Sequence, residues 1–420
     1  MINRLPAQQM SATLSRALAG HQLTPDDSAV IFQDLSFLEE RVRHLVSLFP
    51  ESSLHAIAAK ANPLPAVLEI LLPLGAGVEA ATIGEVYTAL KSGYEPAKIV
   101  FDSPAKTLDE LAFALKNGIH INADSFNELE RIEQLRGQIT SASHIGLRVN
   151  PQIGAGSISA TSVAGAYSKF GVPINEFENE IIDFYKNHHW LNGIHMHVGS
   201  QGCSLGQLLE AAAKLTSLVG KLSDPIHWID IGGGLPVEYD KNQPAVSMQN
   251  YVSELKAHCP ELFSGKYSLI TEFGRYIHVN TGWTASRVEY VKTYSGVNTA
   301  MIHVGADQFL RRCYQPEFWH HDISVTDPSG RLKPMEETKE YTIAGPLCFG
   351  ADIIARNIRL ANIEEGDFLM IHDTGGYTLS MWSRYTSRQI PKVLGYRDEG
   401  RHFVILKNRE SLEELYQFWK

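Results

Sequence analysis

Apolar positions along the chain recur with two spacings, and their alternation predicts the secondary structure. Helical patterns, with apolar residues three or four positions apart, occur at 65–72, 84–91, 108–116 and 126–135. They alternate with apolar runs of strand length at 54–60, 75–82, 98–102, 119–124, 144–150, 192–199, 226–232 and 267–272. Eight strands that alternate with helices are typical of a (β/α)8 barrel. A doubly wound open sheet is the alternative fold, but no G-x-G-x-x-G sequence follows the first strand.

The alternation ends after Arg275, and the rest of the chain carries a different pattern. Strand-like runs at 300–304, 340–344, 368–372 and 402–406 are separated by glycine and proline rather than by helices. This pattern predicts a C-terminal antiparallel β domain, a barrel or a sandwich, with a closing helix near 411–418. A short run at 28–32 is expected to pair into the same domain. The predicted fold class is therefore α/β, with a TIM barrel at 33–279 and a β domain formed by 1–32 and 280–420.

Composition and charge narrow the class of protein. The 420 residues are 44% hydrophobic and 20% charged, which is ordinary for a soluble globular chain. The formal net charge of −10, without runs of like charge, argues against a nucleic-acid partner. The four cysteines, Cys203, Cys259, Cys313 and Cys348, lack the spacing of a zinc site or a disulfide framework. Because no signal pattern or membrane-length apolar run is present, we expect a cytoplasmic protein without a membrane partner.

One lysine stands at the end of the first barrel strand. The apolar run 54–59 leads into Lys60, and Asn62-Pro63 then prevents the strand from continuing. Partial burial lowers the pKa of an amine and supplies the neutral nucleophile that Schiff-base chemistry needs. The alternative is a surface lysine whose apolar stem is buried while its ammonium group stays in water. Residues at the other strand ends decide between these interpretations.

Polar residues at the carboxyl ends of barrel strands face a common site. In this chain those ends carry Lys60, Glu79, Thr82, Asp102, Asp124, Arg148, Asn150, His195, His197, Gly232–Gly234, Glu272 and Arg275. The three glycines expose backbone N–H groups that suit a phosphate, and Arg275 can bind the same anion. Glu272 would repel that phosphate and suits a cationic ring nitrogen instead. A lysine amine, a phosphate site and a partner for a ring nitrogen together indicate pyridoxal phosphate.

Two histidines alternate on one strand, so His195 and His197 point to the same side. As a pair they could ligate a metal, but no cysteine or acidic residue stands nearby at ligand spacing, so no metal is predicted. For a ring cofactor, the His197 imidazole can stack on the ring face and Ser200 can reach the phosphate. His195 is interpreted as an interior histidine.

Several motifs resemble those of the diaminopimelate/ornithine decarboxylase family, the fold type III pyridoxal phosphate enzymes with an alanine-racemase-like barrel. The resemblance covers about 29–388, and the matching segments stand in the family's order. They are the strand that ends at Lys60, Ser168-Lys169-Phe170-Gly171, His195-x-His197-x-Gly199-Ser200-Gln201, Gly232–Gly234, Glu272-x-Gly274-Arg275, Cys348-x-x-x-Asp352 and Gly375-Gly376-Tyr377. The resemblance implies a carboxy-lyase that decarboxylates a small amino-acid substrate, in a homodimer whose active sites are shared between subunits.

The same resemblance implies a role for each site residue. Lys60 binds the cofactor covalently, His197 stacks on its ring, and Glu272 keeps the ring nitrogen protonated. Cys348 crosses from the other subunit and protonates the substrate carbon after carbon dioxide leaves, so the expected catalytic residues are Lys60, His197 and Cys348. The residues expected to bind the phosphate are Ser200, Gly233, Gly234, Arg275 and Tyr377. Those expected to bind the substrate are Arg311, Arg312, Tyr314, Phe349 and Asp352.

Two departures from the family pattern bear on the substrate. Family members carry a carboxylate after the cysteine, which binds the substrate's distal ammonium, but this chain has Phe349 there. The usual Arg-Pro segment reads Arg311-Arg312. Fewer negative and more positive groups favour a substrate with an anionic distal group, such as a citrate–amino-acid conjugate of siderophore biosynthesis.

Other functions remain as alternatives. meso-Diaminopimelate, on the pathway to lysine, is the alternative substrate for the same reaction. An alanine-type racemase is disfavoured because Cys348 and Glu272 both favour decarboxylation. An inactive pyridoxal phosphate-binding regulator is the alternative from another class, and the retention of Lys60, Glu272 and Cys348 argues against it.

Overall fold

The structure is a computed structural model that describes residues 3–222 and 226–420. Residues 1 and 2 of the predicted segment 1–32 therefore lie outside the described residues. The strands are β1 (Ala29–Asp34), β2 (Leu54–Ala58), β3 (Gly77–Ala80), β4 (Ile99–Asp102), β5 (His120–Ala123), β6 (Ile145–Asn150), β7 (Val172–Pro173), β8 (Leu191–Met196), β9 (Trp228–Asp230), β10 (Ser268–Thr271), β11 (Gly282–Tyr294), β12 (Val297–Ile302), β13 (Ile323–Thr326), β14 (Thr338–Ala344), β15 (Ile353–Ala361), β16 (Phe368–Ile371), β17 (Lys392–Arg397) and β18 (His402–Lys407).

The α-helices are α1 (Ala7–Ala19), α2 (Leu35–Leu48), α3 (Pro65–Leu71), α4 (Ile83–Lys91), α5 (Leu108–Asn117), α6 (Phe126–Arg136), α7 (Ile174–Asn187), α8 (Leu205–Val219), α9 (Met248–His258), α10 (Gly274–His278), α11 (Leu310–Tyr314) and α12 (Leu412–Trp419). Within the described part of the chain, none of them has the length and apolar character needed to cross a bilayer.

Eight parallel strands form a closed barrel. β2, β3, β4 and β5 are neighbours in that order, β5 pairs with β6, and β8, β9 and β10 continue the ring. The pairing of Thr271 in β10 with His55 in β2 closes it, and β7 pairs with β6 beside the ring. The predicted (β/α)8 barrel is confirmed, and its strands overlap the eight predicted runs.

Polar caps fix where the barrel helices begin. The Thr107 hydroxyl accepts a hydrogen bond from the Glu110 N–H at 3.2 Å, and the Glu110 carboxylate accepts one from the Thr107 N–H at 2.7 Å. Ser204 and Gln207 make the same reciprocal pair before α8. Such capping boxes satisfy N–H groups that a helix start would otherwise leave unpaired. The loops before α5 and α8 therefore end at a defined residue.

The described chain divides into two compact units. The barrel unit comprises residues 41–237 and 245–277, and the second unit comprises 3–40, 238–244 and 278–420. The functional boundaries at 33–279 and 280–420, and the part of the second domain in a shared active site, stay predictions.

The second unit is built on a nine-stranded mixed sheet. The strands follow the order β15-β14-β12-β11-β1-β17-β18, and β16 pairs with both β11 and β13. β1 lies parallel to β17 and β12 lies parallel to β14, whereas the other pairs are antiparallel. Phe32 of β1 stacks on Trp283 of β11 with ring centroids 4.1 Å apart, in the core that α1 also covers. The predicted fold class is confirmed, with a sheet that is mixed rather than wholly antiparallel.

Arg4 joins the segment before α1 to the loop after β16. Its guanidinium donates to the Asp373 carboxylate and lies 2.8 Å from Asp322 Oδ2. Asp373 is 4% exposed and has a φ of 59°, and Gly375-Gly376-Tyr377 follows it in the same loop. Burial raises the pKa of Asp373 to about 6, against the opposing effects of Arg4 and the Asn280 amide. Arg4 therefore compensates a buried carboxylate at the base of the loop that carries Tyr377.

Replacing Arg4 by alanine is expected to lower the free energy of unfolding by about 3 kcal/mol at pH 8, because it leaves the charged Asp373 buried without its cation. The pKa of Asp373 is higher in the folded than in the unfolded protein, so ionisation of this group costs stability as pH rises through about 6. Without Arg4 this pKa rises further. The loss should therefore be smaller at pH 5, where Asp373 is protonated.

Urea unfolding of the variant and the unmodified protein at both pH values measures this difference. Arg16→Ala is the matched control, since the Arg16 ion pair with Glu399 is largely exposed. An equal loss of stability at pH 5 and pH 8 would show that Arg4 acts through packing rather than through the charge of Asp373.

Candidate active site

Lys60 lies at the carboxyl end of β2, in the short 3-10 helix Ala59–Ala61. Its Nζ is 2.7 Å from Oε2 of Glu79, a residue that pairs with Ala58 across β2 and β3. The Glu79 side chain is fully buried, whereas 37% of the Lys60 side chain is exposed. Burial raises the pKa of Glu79, and the Lys60 charge opposes that rise. The amine is thus held by a carboxylate that can take up its proton.

The Glu272 and His197 side chains lie close together, Glu272 just after β10 and His197 just after β8. Glu272 is 3% exposed, and neither of its carboxylate oxygens accepts a hydrogen bond from the described residues. The Gly233 N–H donates to His197 Nδ1 at 3.2 Å, which requires that nitrogen to be unprotonated. Burial and the nearby Lys60 lower the pKa of His197 well below its usual value. His197 is therefore neutral and does not supply Glu272, 3.6 Å away, with a counter-charge.

A buried charge network lies beneath these residues. The two ring nitrogens of His195 are 3.2 Å from Asp230 and 3.4 Å from Asp102, and Arg148 donates to Asp102 at 2.8 Å. Although burial opposes it, the two carboxylates raise the pKa of His195 well above its usual value. Asp102, His195 and Glu272 have ligand atoms within 4.8 Å of one another, as metal ligands would. The positive charge that the two carboxylates favour on His195 makes this cluster a buried charge network beside the candidate site.

The glycine triplet lies next to His197 and Glu272, and Arg275 follows Glu272 in sequence. Gly232 and Gly234 have φ values of 65° and 97°, which other residues rarely adopt. A Cβ on Gly233 would lie 2.5 Å from the Glu272 carbonyl oxygen, so the backbone here approaches its neighbour too closely for a side chain. Arg275 donates to the Ser200 hydroxyl from Nη2 at 2.9 Å and from Nε at 3.1 Å. The structure thus brings Ser200, Arg275 and the glycines together around bare backbone, as a phosphate site requires.

These residues fit pyridoxal phosphate. Burial raises the pKa of Glu272 well above its usual value, because the carboxylate has no hydrogen-bond donor among the described residues. A protonated ring nitrogen is the group that would satisfy it. Lys60 offers the amine for the aldehyde, and Ser200, Gly233, Gly234 and Arg275 offer donors for the phosphate.

The second unit holds Tyr377 and Arg311 against each other. The Arg311 guanidinium lies 4.7 Å from the centre of the Trp319 ring and 4.9 Å from that of Tyr377. Stacking of this kind holds a guanidinium in place. Arg311 therefore stays the cation expected to contact the substrate. The phosphate contact expected of Tyr377 stays a prediction.

Two of the residues expected to bind the substrate have backbone partners. Arg312 donates to the carbonyl oxygens of Ile354 and Trp319, both at 2.6 Å, and to that of Pro316. Asp352 is 2% exposed and accepts hydrogen bonds from the N–H groups of Ala306 at 2.5 Å and Leu347 at 2.6 Å. These contacts hold the backbone on either side of Cys348. The part expected of Arg312 and Asp352 in substrate binding stays a prediction.

Cys348 and Phe349 lie on that turn. Cys348 is exposed, in contrast to the other three cysteines, and the Tyr385 hydroxyl donates to its carbonyl oxygen at 3.3 Å. The Phe349 ring stacks on Tyr314 with centroids 5.3 Å apart and planes 21° apart, and Tyr314 is 61% exposed. This turn therefore presents an exposed cysteine and a pair of stacked aromatic rings.

Sequence reasoning missed the partners of two lysines. Glu79 was noted only as a polar strand end, but it lies on the strand next to Lys60 and holds its amine. Strand adjacency in a barrel was the signal that could have revealed it. Lys106 is fully buried and lies 2.8 Å from Glu128, in a loop that no motif marks.

Comparisons with known proteins agree with this geometry. The family model described as pyridoxal-dependent decarboxylase, pyridoxal binding domain, matches residues 35–279. A diaminopimelate decarboxylase of Helicobacter pylori is 32% identical over 377 residues, which cover 87% of this chain and 88% of that protein. One of Pseudomonas aeruginosa is 32% identical over 365 residues, 86% of this chain and 84% of that protein. The crystal structure of diaminopimelate decarboxylase from Helicobacter pylori complexed with L-lysine has a TM-score of 0.85 at 28% identity, and the match covers 96% of this chain and 99% of that one. The chain therefore belongs to the diaminopimelate/ornithine decarboxylase family, the fold type III carboxy-lyases that use pyridoxal 5′-phosphate.

Proposed function

We propose that this protein removes the α-carboxylate of an amino acid whose distal end carries another carboxylate, and that meso-diaminopimelate is the substrate to test first. The observation that carries this proposal is the match to diaminopimelate decarboxylases over 84% to 88% of their length. It favours meso-diaminopimelate over the citrate conjugate expected from the sequence. Arg311, held between two aromatic rings, is the cation that would bind the distal carboxylate.

The residues of the barrel unit hold the reacting groups in place. Lys60 would hold the cofactor's aldehyde through its amine, and Glu79 would take up the proton that the amine must lose. Glu272 would keep the ring nitrogen protonated, since neither of its buried carboxylate oxygens accepts a hydrogen bond from the described residues. Ser200, Arg275 and the glycine triplet would hold the phosphate and so fix the position of the ring.

Bond breaking leaves an electron pair on the substrate's α-carbon. When bound, pyridoxal phosphate supplies an electron sink that delocalises this pair as carbon dioxide departs. The α-carbon then takes a proton from the Cys348 thiol, and the thiolate recovers one from solvent. We place Cys348 at the site of a second subunit, in a homodimer, because its thiol is exposed on its own unit.

A citrate–amino-acid conjugate is the second candidate substrate. The specific observation in its favour is that Phe349, stacked on Tyr314, stands where family members carry a carboxylate. An aromatic ring does not neutralise a distal ammonium as a carboxylate does. A conjugate whose distal end is wholly anionic needs no such partner.

The variant Phe349→Glu separates these candidates. We expect it to raise kcat/KM for meso-diaminopimelate about tenfold, because a carboxylate gains a charge-assisted hydrogen bond to the distal ammonium. The same change should lower kcat/KM for a citrate conjugate through repulsion. Phe349→Leu keeps the position apolar and is the matched control.

The proposed function itself is tested by carbon dioxide release from each substrate, measured with the enzyme loaded with pyridoxal phosphate. Release from meso-diaminopimelate supports the first candidate, and release from the conjugate alone supports the second. Loss of the optical activity of L-alanine without release of gas would identify an alanine-type racemase. A protein that shows the cofactor's absorbance but turns over neither substrate would be a binding regulator, contrary to this proposal.

A further inference from the structure

A cavity of about 510 Å³ lies in the second unit beside Cys348. Its size falls in the range of small-molecule sites. Besides Cys348, its walls include Trp382, Thr386, Ser387, Arg388 and Arg409. Among the described residues that line it, the only acidic one is Asp26. Hydrogen-bond donors and positive charge therefore dominate the walls.

The positive charge of Arg409 is not neutralised by the groups that hold it. Its Nη1 donates to the carbonyl oxygen of Asp26 at 2.7 Å, and its Nη2 donates to the Gln389 side-chain oxygen at 2.9 Å. Both acceptors are uncharged. Arg388 differs, because its Nε lies 3.5 Å from Asp307 Oδ2 and its Nη2 donates to the His303 carbonyl oxygen. Arg409 is thus a positioned cation without a carboxylate partner among the described residues, which is what an anion site needs.

Three further wall residues show that this cavity is built rather than incidental. The Trp382 indole N–H is buried, and no acceptor for it lies among the described residues. A buried donor of this kind costs free energy unless a ligand or water satisfies it. Thr386 and Ser387 have φ values of 60° and 52°, a strained conformation for residues other than glycine that is concentrated at ligand sites.

We propose that this cavity binds a carboxylate-bearing group, with Arg409 and the Trp382 indole N–H as donors to it. The carboxylate has two sources to distinguish: the distal end of the substrate, which Arg409 would then bind in place of Arg311, or a free small carboxylate. The first source rests on the proposed function, in which the Cys348 thiol protonates the substrate's α-carbon. The second source does not depend on the proposed function.

Isothermal titration of the pyridoxal phosphate-loaded protein with citrate tests the site. Arg409→Gln should weaken citrate binding about tenfold, since it removes a charge-assisted hydrogen bond, and Trp382→Phe about fivefold, since it removes a neutral one. Arg356→Gln, an exposed arginine on β15, is the matched control and should bind citrate normally. Phenylalanine keeps an aromatic ring in the wall, so this variant tests the donor even if Arg409→Gln folds poorly.

The proposal is overturned if the unmodified protein does not bind citrate at millimolar concentration, or if both variants bind it as the unmodified protein does. Steady-state kinetics distinguishes the sources. If citrate competes with the amino-acid substrate and Arg409→Gln raises KM about tenfold while kcat is kept, the substrate's distal group occupies the cavity. If citrate binds without altering KM, the site takes a free carboxylate. Because the titration requires no turnover, failure of the proposed decarboxylation leaves this test intact.

Discussion

Replacing Lys60 by alanine is expected to lower the rate of carbon dioxide release at least about a thousandfold, because the variant loses both the covalent link and the positioning that it provides. The visible absorbance of the covalently bound cofactor should disappear from the purified protein. The fold should survive, since 37% of this side chain is exposed and its polar contact to Glu79 lies at the barrel rim. Gas release and the absorbance spectrum, recorded on the same preparation, measure both effects.

Two further variants test whether Lys60 acts through its nucleophilic amine or through its positive charge. Lys60→Arg keeps a cation beside Glu79 but has no amine that forms a stable imine, so it should be as inactive as the alanine variant. Lys116→Ala, on the exposed face of α5, is the matched control and should behave like the unmodified enzyme. An arginine variant with substantial activity would show that the charge at residue 60, and not the covalent bond, carries the reaction.

The alanine variant also tests whether the sites are shared between subunits. Lys60→Ala and Cys348→Ala homodimers should both be severely impaired. If each site takes its lysine from one subunit and its thiol from the other, a refolded equimolar mixture should recover about a quarter of the normal activity, since half of the dimers then contain one intact site. No recovery after subunit exchange would place both residues of a site in the same chain.

The barrel and the rim of its active site followed from local patterns in the sequence. A strand of a parallel sheet is buried on both faces, so it appears in the sequence as a short apolar run that ends in a polar residue. This pattern alone was enough to predict β2 and β10. Lys60 and Glu272 then fell at the same end of the barrel because all its strands are parallel. The parallel pairing of β1 with β17 could not be read in this way, because it depends on which distant strands become neighbours.

The backbone contacts of the candidate site could not be predicted from the sequence. Arg312 and Asp352 are expected to bind the substrate because they stand in segments that resemble the family's motifs. In the structure, the polar atoms of both side chains form hydrogen bonds with backbone carbonyl and N–H groups of the surrounding turns. A sequence shows the charge of a side chain but not the backbone groups that surround it, and buried backbone groups require partners. Arg4 was overlooked for the same reason, since its carboxylate partners are distant in sequence.

The electrostatics of Glu272 connect the stability of the protein to its catalysis. Burial raises the pKa of Glu272 well above its usual value, with a further contribution from Asp230. A raised folded pKa means that ionisation costs stability as pH rises above the ordinary value for a glutamate. A protonated ring nitrogen would oppose this rise, because it would donate a hydrogen bond to a carboxylate that accepts none from the described residues.

Replacing Glu272 by glutamine should therefore have opposite effects on stability and on catalysis. Near neutral pH the cofactor-free variant is expected to be at least as stable as the unmodified protein, because a neutral amide removes the cost of a buried charge. Its rate of carbon dioxide release should fall about a hundredfold to a thousandfold, since an amide does not hold the proton on the ring nitrogen. Thermal unfolding without cofactor and kcat with cofactor measure the two effects, and Glu130→Gln on the exposed face of α6 is the control. If kcat falls by less than about threefold, the ring nitrogen does not depend on this carboxylate, whereas a large loss of stability without cofactor would give Glu272 a structural role instead.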